Sequence, residues 1–189
     1  MIESLTNEEK TILLKTARDA IENAVLGLPV DREDLSEFPE RLLEPGATFV
    51  TLIKNGELRG CVGGLEPIYP LIVDVREHAI AAALHDYRFP PVQPSELPNI
   101  KIEISRLTLP KRLVYKDPDD LLRHLRPRVD GVLIRDGNQR ATFLPQVWEK
   151  LPEADVFMGN LCLKMGAPAD LWRKKKLDVY TYQVEEFHE

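Results

Sequence analysis

The run Ala47-Thr48-Phe49-Val50-Thr51-Leu52-Ile53-Lys54-Asn55-Gly56-Glu57-Leu58-Arg59-Gly60-Cys61-Val62-Gly63 decides the fold class. Two stretches rich in β-branched and apolar residues flank an Asn-Gly pair. That pair is the strongest short signal for a β-hairpin, because a two-residue primed turn needs positive φ at its centre. With such a turn Lys54 pairs with Glu57, and an unbroken register sets Val50 opposite Cys61. Alternation then predicts Val50, Leu52, Arg59 and Cys61 on one face, with Phe49, Thr51, Ile53, Leu58, Gly60 and Val62 on the other. Both sets carry apolar residues, so cover is expected on both sides.

Beyond the hairpin the period changes to that of a helix. Pro67 and Pro70 open it, Leu71, Ile72, Val75, Ala79 and Ala82 carry it to about Asp86, and Pro90 and Pro91 end it. Ile100, Ile102 and Ile104 alternate with Lys101, Glu103 and Ser105, which predicts a strand with one buried face and one exposed face. Upstream, Thr6 and Glu9 have capping-box spacing, and Ile12, Leu13, Ala17, Ala20, Ile21, Ala24 and Val25 recur at helical intervals up to Gly27. Leu28 to Pro45 has no sustained period and reads as a long connection that includes a short helical turn. Downstream, Asp117-Pro118 begins a short helix through Leu121, Leu122 and Leu125. Gly131 to Arg135 and Arg140 to Leu144 form a second hairpin around Asp136-Gly137-Asn138. A helical turn at Pro145 to Lys150, a helix from Ala154 to Met165 closed by Gly166, and a final strand from Leu177 to Val184 follow. Hairpin, helix and strand thus occur twice, in two β-β-α-β halves at about 47–107 and 131–184, after an N-terminal helix at about 6–27. The expectation is an α+β fold of two interlocked subdomains with largely antiparallel sheets.

The 189 residues are 43% hydrophobic and 30% charged, which excludes disordered and collagen-like chains. Lys plus Arg number 25 and Asp plus Glu 31, a net charge of −6. An acidic balance argues against nucleic-acid backbones as the main partner. The basic run Arg173-Lys174-Lys175-Lys176 is the one feature that offers a surface to an acidic partner or RNA, and a solvated surface is its expected reading. Met1 to Lys10 shows no signal-peptide pattern, and no uncharged stretch approaches the roughly 20 residues of a membrane span. With two cysteines far apart, Cys61 and Cys162, a cytoplasmic chain with reduced thiols is expected.

Chemistry concentrates around Cys61. Free cysteine is among the most buried residue types, so packing is the bland reading. The sharper one makes Cys61 a nucleophile, with Arg59 two residues away on the same expected face favouring the thiolate and His78 or His85 assisting as base. Gly60, Gly63 and Gly64 call for a close approach, by a ligand or by another backbone. Asp86 and Arg88 end the following helix, where they can rim an anion site or fasten the turn. Phe89, Trp148 and Trp172 are expected in packing. His78 and His85 lie seven apart on one helix, about 10 Å of rise, too far to share one ion. No metal site and no cofactor are predicted.

Leu58-Arg59-Gly60-Cys61-Val62-Gly63 resembles the signature hexapeptide of the AMMECR domain family. Ala83-Leu84-His85-Asp86-Tyr87-Arg88-Phe89-Pro90-Pro91-Val92 resembles the family's alanine-rich helix ending in Asp-x-Arg-Phe-x-Pro. Glu96-Leu97, Ile102-Glu103-Ile104-Ser105, Phe143-Leu144-Pro145-Gln146-Val147 and Leu161-Cys162-Leu163-Lys164-Met165-Gly166 also fit, in the family's order. The resemblance covers nearly the whole chain, so residues 1–189 are expected to form a single AMMECR-like domain. It implies a larger and a smaller subdomain and a shared site at the hexapeptide, not a reaction. Such domains are often encoded beside Memo-like and radical-SAM proteins, which makes these the implied partners. The chain has no cysteine motif for an iron–sulfur cluster, so it would be the accessory member. Two functions are therefore expected in competition. One is a binding module whose groove at Arg59, Gly60, Cys61, Gly63, Asp86 and Arg88 holds a peptide, metabolite or partner. The other is an enzyme with Cys61 as nucleophile.

Overall fold

Thr6 starts the first helix as its residue type predicts: Glu9 N–H donates to Thr6 Oγ1 at 3.2 Å, and Thr6 N–H donates to Glu9 Oε2 at 2.7 Å. The computed structural model describes residues 4–29 and 35–189. In chain order these form α1 (Asn7–Leu26), a 3-10 turn (Leu35–Glu37), α2 (Glu40–Leu43), β1 (Pro45–Lys54), β2 (Glu57–Gly63), β3 (Tyr69–Pro70) and α3 (Leu71–Leu84). A 3-10 segment (Pro94–Asn99), β4 (Ile100–Leu107), β5 (Lys111–Arg112), α4 (Pro118–His124), β6 (Gly131–Asp136) and β7 (Gln139–Phe143) follow. The chain closes with a 3-10 turn (Pro145–Glu149), α5 (Ala154–Lys164), α6 (Leu171–Lys174), β8 (Asp178–Tyr182) and β9 (Val184–His188). Part of the connection expected at Leu28 to Pro45 lies outside the described residues; the rest holds the 3-10 turn and α2.

Backbone contacts divide the described chain into two compact units, residues 4–107 with 185–189 and residues 108–184. In the first, the strands are ordered β2-β1-β4-β9, with β3 beside β1. In the second the order is β5-β8-β6-β7. Each unit repeats one topology: the first strand of a hairpin is central, and the strand after the helix pairs antiparallel on its other side, giving β2-β1-β4 and β7-β6-β8. The fold is α+β.

In the first unit α3 packs on β1 and β2, and α1 packs on α3. Their apolar stripes meet Val50, Leu52, Ile102 and Ile104, all at 0% exposure. Beside this core Glu185 of β9 is buried with Lys10 at 2.9 Å, Arg106 at 3.3 Å and the Leu5 N–H at 3.1 Å. In the second unit the core centres on Trp148, whose ring stacks on Phe157 at 3.7 Å and whose indole N–H donates to the Asp130 carbonyl at 2.7 Å. Trp172 and Cys162 are buried in the same cluster.

Four expectations are corrected. The β1–β2 register shifts between Leu52 and Ile53: Leu52 pairs with Gly60, Ile53 with Leu58, and Arg59 bulges out, so Thr51 rather than Val50 opposes Cys61. The unbroken register would have put a guanidinium on the face of Val50 and Leu52, where nothing is exposed to solvate it; the bulge releases it. The stretch Leu177 to Val184 is not one strand but the end of β8 and the start of β9, which lie in different sheets. The break falls at Gln183, whose N–H donates to Thr108 Oγ1 at 2.8 Å and whose carbonyl accepts from Thr108 N–H at 2.9 Å. The helix after the hairpin runs Leu71–Leu84, with Pro70 as its extended N-cap, and stops before Asp86. Ser105 is buried and Glu103 half-buried, because β4 sits between β1 and β9 rather than at an edge.

Candidate functional site

The hexapeptide lies on β2, the edge strand of the first sheet. Residue 61 opposes Thr51 in a pair whose outward N–H and C=O face away from β1, and both are tied. Cys61 N–H donates to Asp86 Oδ2 at 2.9 Å, and Arg88 Nη2 donates to the Cys61 carbonyl at 3.1 Å. Arg88 also grips Asp86, with Nε on Oδ1 at 2.9 Å, Nη2 on Oδ2 at 2.6 Å and its own N–H on Oδ1 at 3.1 Å. These bonds from Arg88 hold the Asp86 carboxyl well below the usual carboxylate range, against its burial.

Small residues let α3 deliver this pair. A Cβ on Gly60 would run into the carbonyl oxygen of Ala82, so the helix backbone itself lies over the strand at that point. At Gly63 a Cβ would meet Thr48 and Phe49. The space at both glycines is filled by neighbouring residues of the unit. Two turn bonds, Phe89 N–H to the Asp86 carbonyl at 3.0 Å and Val92 N–H to the Ala83 carbonyl at 2.9 Å, then fold residues 85–92 back along the strand.

Arg59 does something other than activate the thiol. Its Nε and Nη2 bind the two oxygens of Glu96, each at 3.0 Å, and Nη2 also donates to the Pro90 carbonyl at 2.9 Å. Lys54 Nζ and the Gln93 N–H complete the ring around Glu96 at 2.7 Å and 2.9 Å. Arg59 first, then Lys54, push the Glu96 carboxyl far down. Phe89 is not in the core: it is half-buried, with the guanidinium carbons of Arg59 and Arg88 at 5.9 Å and 5.5 Å from its ring centre.

The bulge turns Cys61 to the face of Thr51 and, across β1, of Glu103, which pairs with Thr51 from the other side. A thiol, a hydroxyl and a carboxyl therefore stand in one row over three strands. Thr51 Oγ1 donates to Cys61 Sγ at 3.1 Å. Burial pushes the thiol above its ordinary pKa; the Thr51 hydroxyl and Arg88 pull the other way without cancelling it. Burial also raises the Glu103 carboxyl, helped by Glu186 on β9. The register shift hides Thr51 from a reading of the sequence, and the long-range β1–β4 pairing hides Glu103.

Neither candidate base reaches the thiol. His85 is exposed at the end of α3. His78 belongs to a separate cluster on the helix-covered face, where the buried Asp74 accepts from Thr48 Oγ1 at 2.6 Å and its Oδ2 lies 3.1 Å from His78 Nδ1. The i,i+4 spacing of Asp74 and His78 was visible in sequence; the contribution of Thr48 from β1 was not. Cys162 is buried, its thiol likewise raised by burial, and both cysteines are free. In the basic run, Arg173, Lys174 and Lys175 pair with Asp119, Asp170 and Asp136. Among the described residues no helix is long and apolar enough to cross a membrane.

The fold and the tied hexapeptide define a class of α+β chain built on two repeats of one hairpin–helix–strand topology. The AMMECR1 family model matches residues 14–187, and the chain belongs to the AMMECR1 family. A protein of Methanothermobacter thermautotrophicus is 41% identical over 191 residues, covering 98% of this chain and 96% of its own length. One from Methanococcus aeolicus is 39% identical, covering 100% and 94%. The crystal structure of an uncharacterized protein from Pyrococcus horikoshii superposes with a TM-score of 0.88 at 32% identity, over 98% of this chain and 93% of the other.

Proposed function

We propose that this chain is a binding module that presents the Cys61 face of its first sheet, rimmed by residues 85–91, to a partner. The observation that supports this most is the double tie on Cys61 by Asp86 and Arg88. Those bonds close the sheet edge there to an incoming strand, so recognition falls to the face and to the adjoining loop. The same bonds stiffen that loop, which holds Tyr87 out at 96% exposure. A large aromatic on pinned backbone loses little entropy on binding, and such residues dominate interface energetics. The competing reading, Cys61 as a nucleophile, has less support: its pKa is raised by burial, and its hydrogen-bond partner is a threonine.

The Memo-like and radical-SAM proteins implied by the family resemblance are the proposed partners. Calorimetric titration of the chain with each tests the reading. Saturable binding is expected with at least one of them, weakened about tenfold or more by Tyr87→Ala. Binding that Tyr87→Ala leaves unchanged would overturn it. So would substrate turnover that Cys61→Ser abolishes.

A further inference from the structure

The 108–184 unit carries a cavity that takes no part in the Cys61 site. It is a half-open pocket of about 230 Å³ lined by Thr108, Lys111, Arg126, Asp130, Thr181, Tyr182 and Gln183. That volume is below the range of about 300–1,000 Å³ that accepts drug-sized ligands, so it suits one small charged group. Its lining is rich in donors. Lys111 and Thr181 are cross-strand partners in the β5–β8 pair and so project on the same face. The Thr108 hydroxyl accepts the Gln183 N–H at 2.8 Å, which leaves its own hydrogen to donate.

Charge decides the sign of the ligand. Asp130 is the acidic group of the lining, and it is buried and satisfied by Arg126. Nη2 donates to Oδ1 at 2.6 Å, while Nε and the backbone N–H donate to Oδ2, each at 3.1 Å. That pair is neutral as a unit. Lys111 has no carboxylate partner among the described residues, so the cavity keeps one uncompensated positive charge beside the Thr108 and Thr181 hydroxyls and the Gln183 carboxamide.

We propose that this cavity binds a small oxyanion, a phosphate or carboxylate group, with Lys111 supplying the charge and Thr108, Thr181 and Gln183 the neutral donors. The test follows amide resonances of the whole ¹⁵N-labelled chain during titration with inorganic phosphate and, separately, with acetate, both at constant ionic strength against chloride. Saturable shifts at Lys111, Thr181 and Gln183 are expected with at least one of the two. Phosphate alone identifies a phosphoryl group as the natural ligand, acetate alone a carboxylate, and both together a general oxyanion site. Lys111→Ala, which removes an exposed side chain, is expected to weaken binding about tenfold, the loss of one charge-assisted hydrogen bond. Thr181→Val gives a second, uncharged test and is expected to weaken it as well, while Lys101→Ala in the other unit leaves it unchanged. Shifts that rise linearly without saturating, or an affinity that Lys111→Ala leaves intact, overturn the proposal.

Discussion

Replacing Asp86 by alanine is the most direct way to break the tie between the α3 end and the hexapeptide. The carboxylate accepts the Cys61 N–H at 2.9 Å and three donors of Arg88. A hydrogen bond to a charged acceptor contributes about 1.5–3 kcal/mol. The Arg88 side chain is 42% exposed, so water replaces much of what it loses, and that arm adds no more than a surface pair, up to about 1 kcal/mol. The expected loss in Asp86→Ala is therefore about 3 kcal/mol at neutral pH, read from urea unfolding. Asp86→Asn keeps an acceptor for Cys61 N–H and should lose about half as much. The pH dependence has a definite sign. The folded pKa of Asp86 is depressed below an unfolded value of about 3.9, so its contribution is complete above about pH 4 and is lost as pH falls through the folded value. The gap between wild type and Asp86→Ala should close in acid. Amide hydrogen exchange supplies a local readout, since the Cys61 N–H should lose protection in the variant. A loss below about 1 kcal/mol, with the Cys61 amide still protected, would refute the tie as a structural determinant.

Three further outcomes follow from the geometry. Gly60→Ala forces a methyl into the Ala82 carbonyl and should cost about 3 kcal/mol or more, whereas Gly64→Ala, whose nearest neighbour would be His78 at 3.6 Å, should stay within about 1 kcal/mol; thermal melts of the pair separate backbone clearance from ligand space. Alkylation of Cys61, followed by mass spectrometry, should rise at a higher pH than the roughly 8.5 of a free thiol, and Thr51→Val should move the profile higher still by removing a donor that favours the thiolate; a profile below 8.5 would restore the nucleophile reading. Trp148→Ala should cost about 3–5 kcal/mol in the 108–184 unit, detected as faster exchange of β6 amides, and a loss under about 1 kcal/mol would mean that the Phe157 stack contributes little.

What the sequence shows and hides follows from the range over which each feature is decided. The Asn55-Gly56 turn is local, with φ of 54° and 83°, and the hairpin is legible from it. The Thr6–Glu9 cap is local too. The hairpin's register is not, because it depends on where Arg59 finds its counter-charge, and Glu96 lies 37 residues away. The hexapeptide, Asp86 and Arg88 can be singled out by residue type, and the fold does gather Cys61, Asp86 and Arg88 into one bonded set. Gly60 and Gly63 can be singled out as well, yet their reason is clearance for the Ala82, Thr48 and Phe49 atoms packed against them. Unbroken alternation puts Thr51 on the face away from the thiol, and nothing local to the hairpin points to Glu103, which reaches that row only through the β1–β4 pairing. There is a signal for the break in the residues themselves. An arginine at an inward position between apolar neighbours would leave a guanidinium among Val50 and Leu52, at a desolvation cost of several kcal/mol. A one-residue bulge costs less than that, so a charged residue at an inward position marks the place where alternation should be expected to slip. Here the slip turns Cys61 away from the α3-covered core to join Thr51 and Glu103, and it frees the Arg59 guanidinium to bind Glu96 beneath the Phe89 loop.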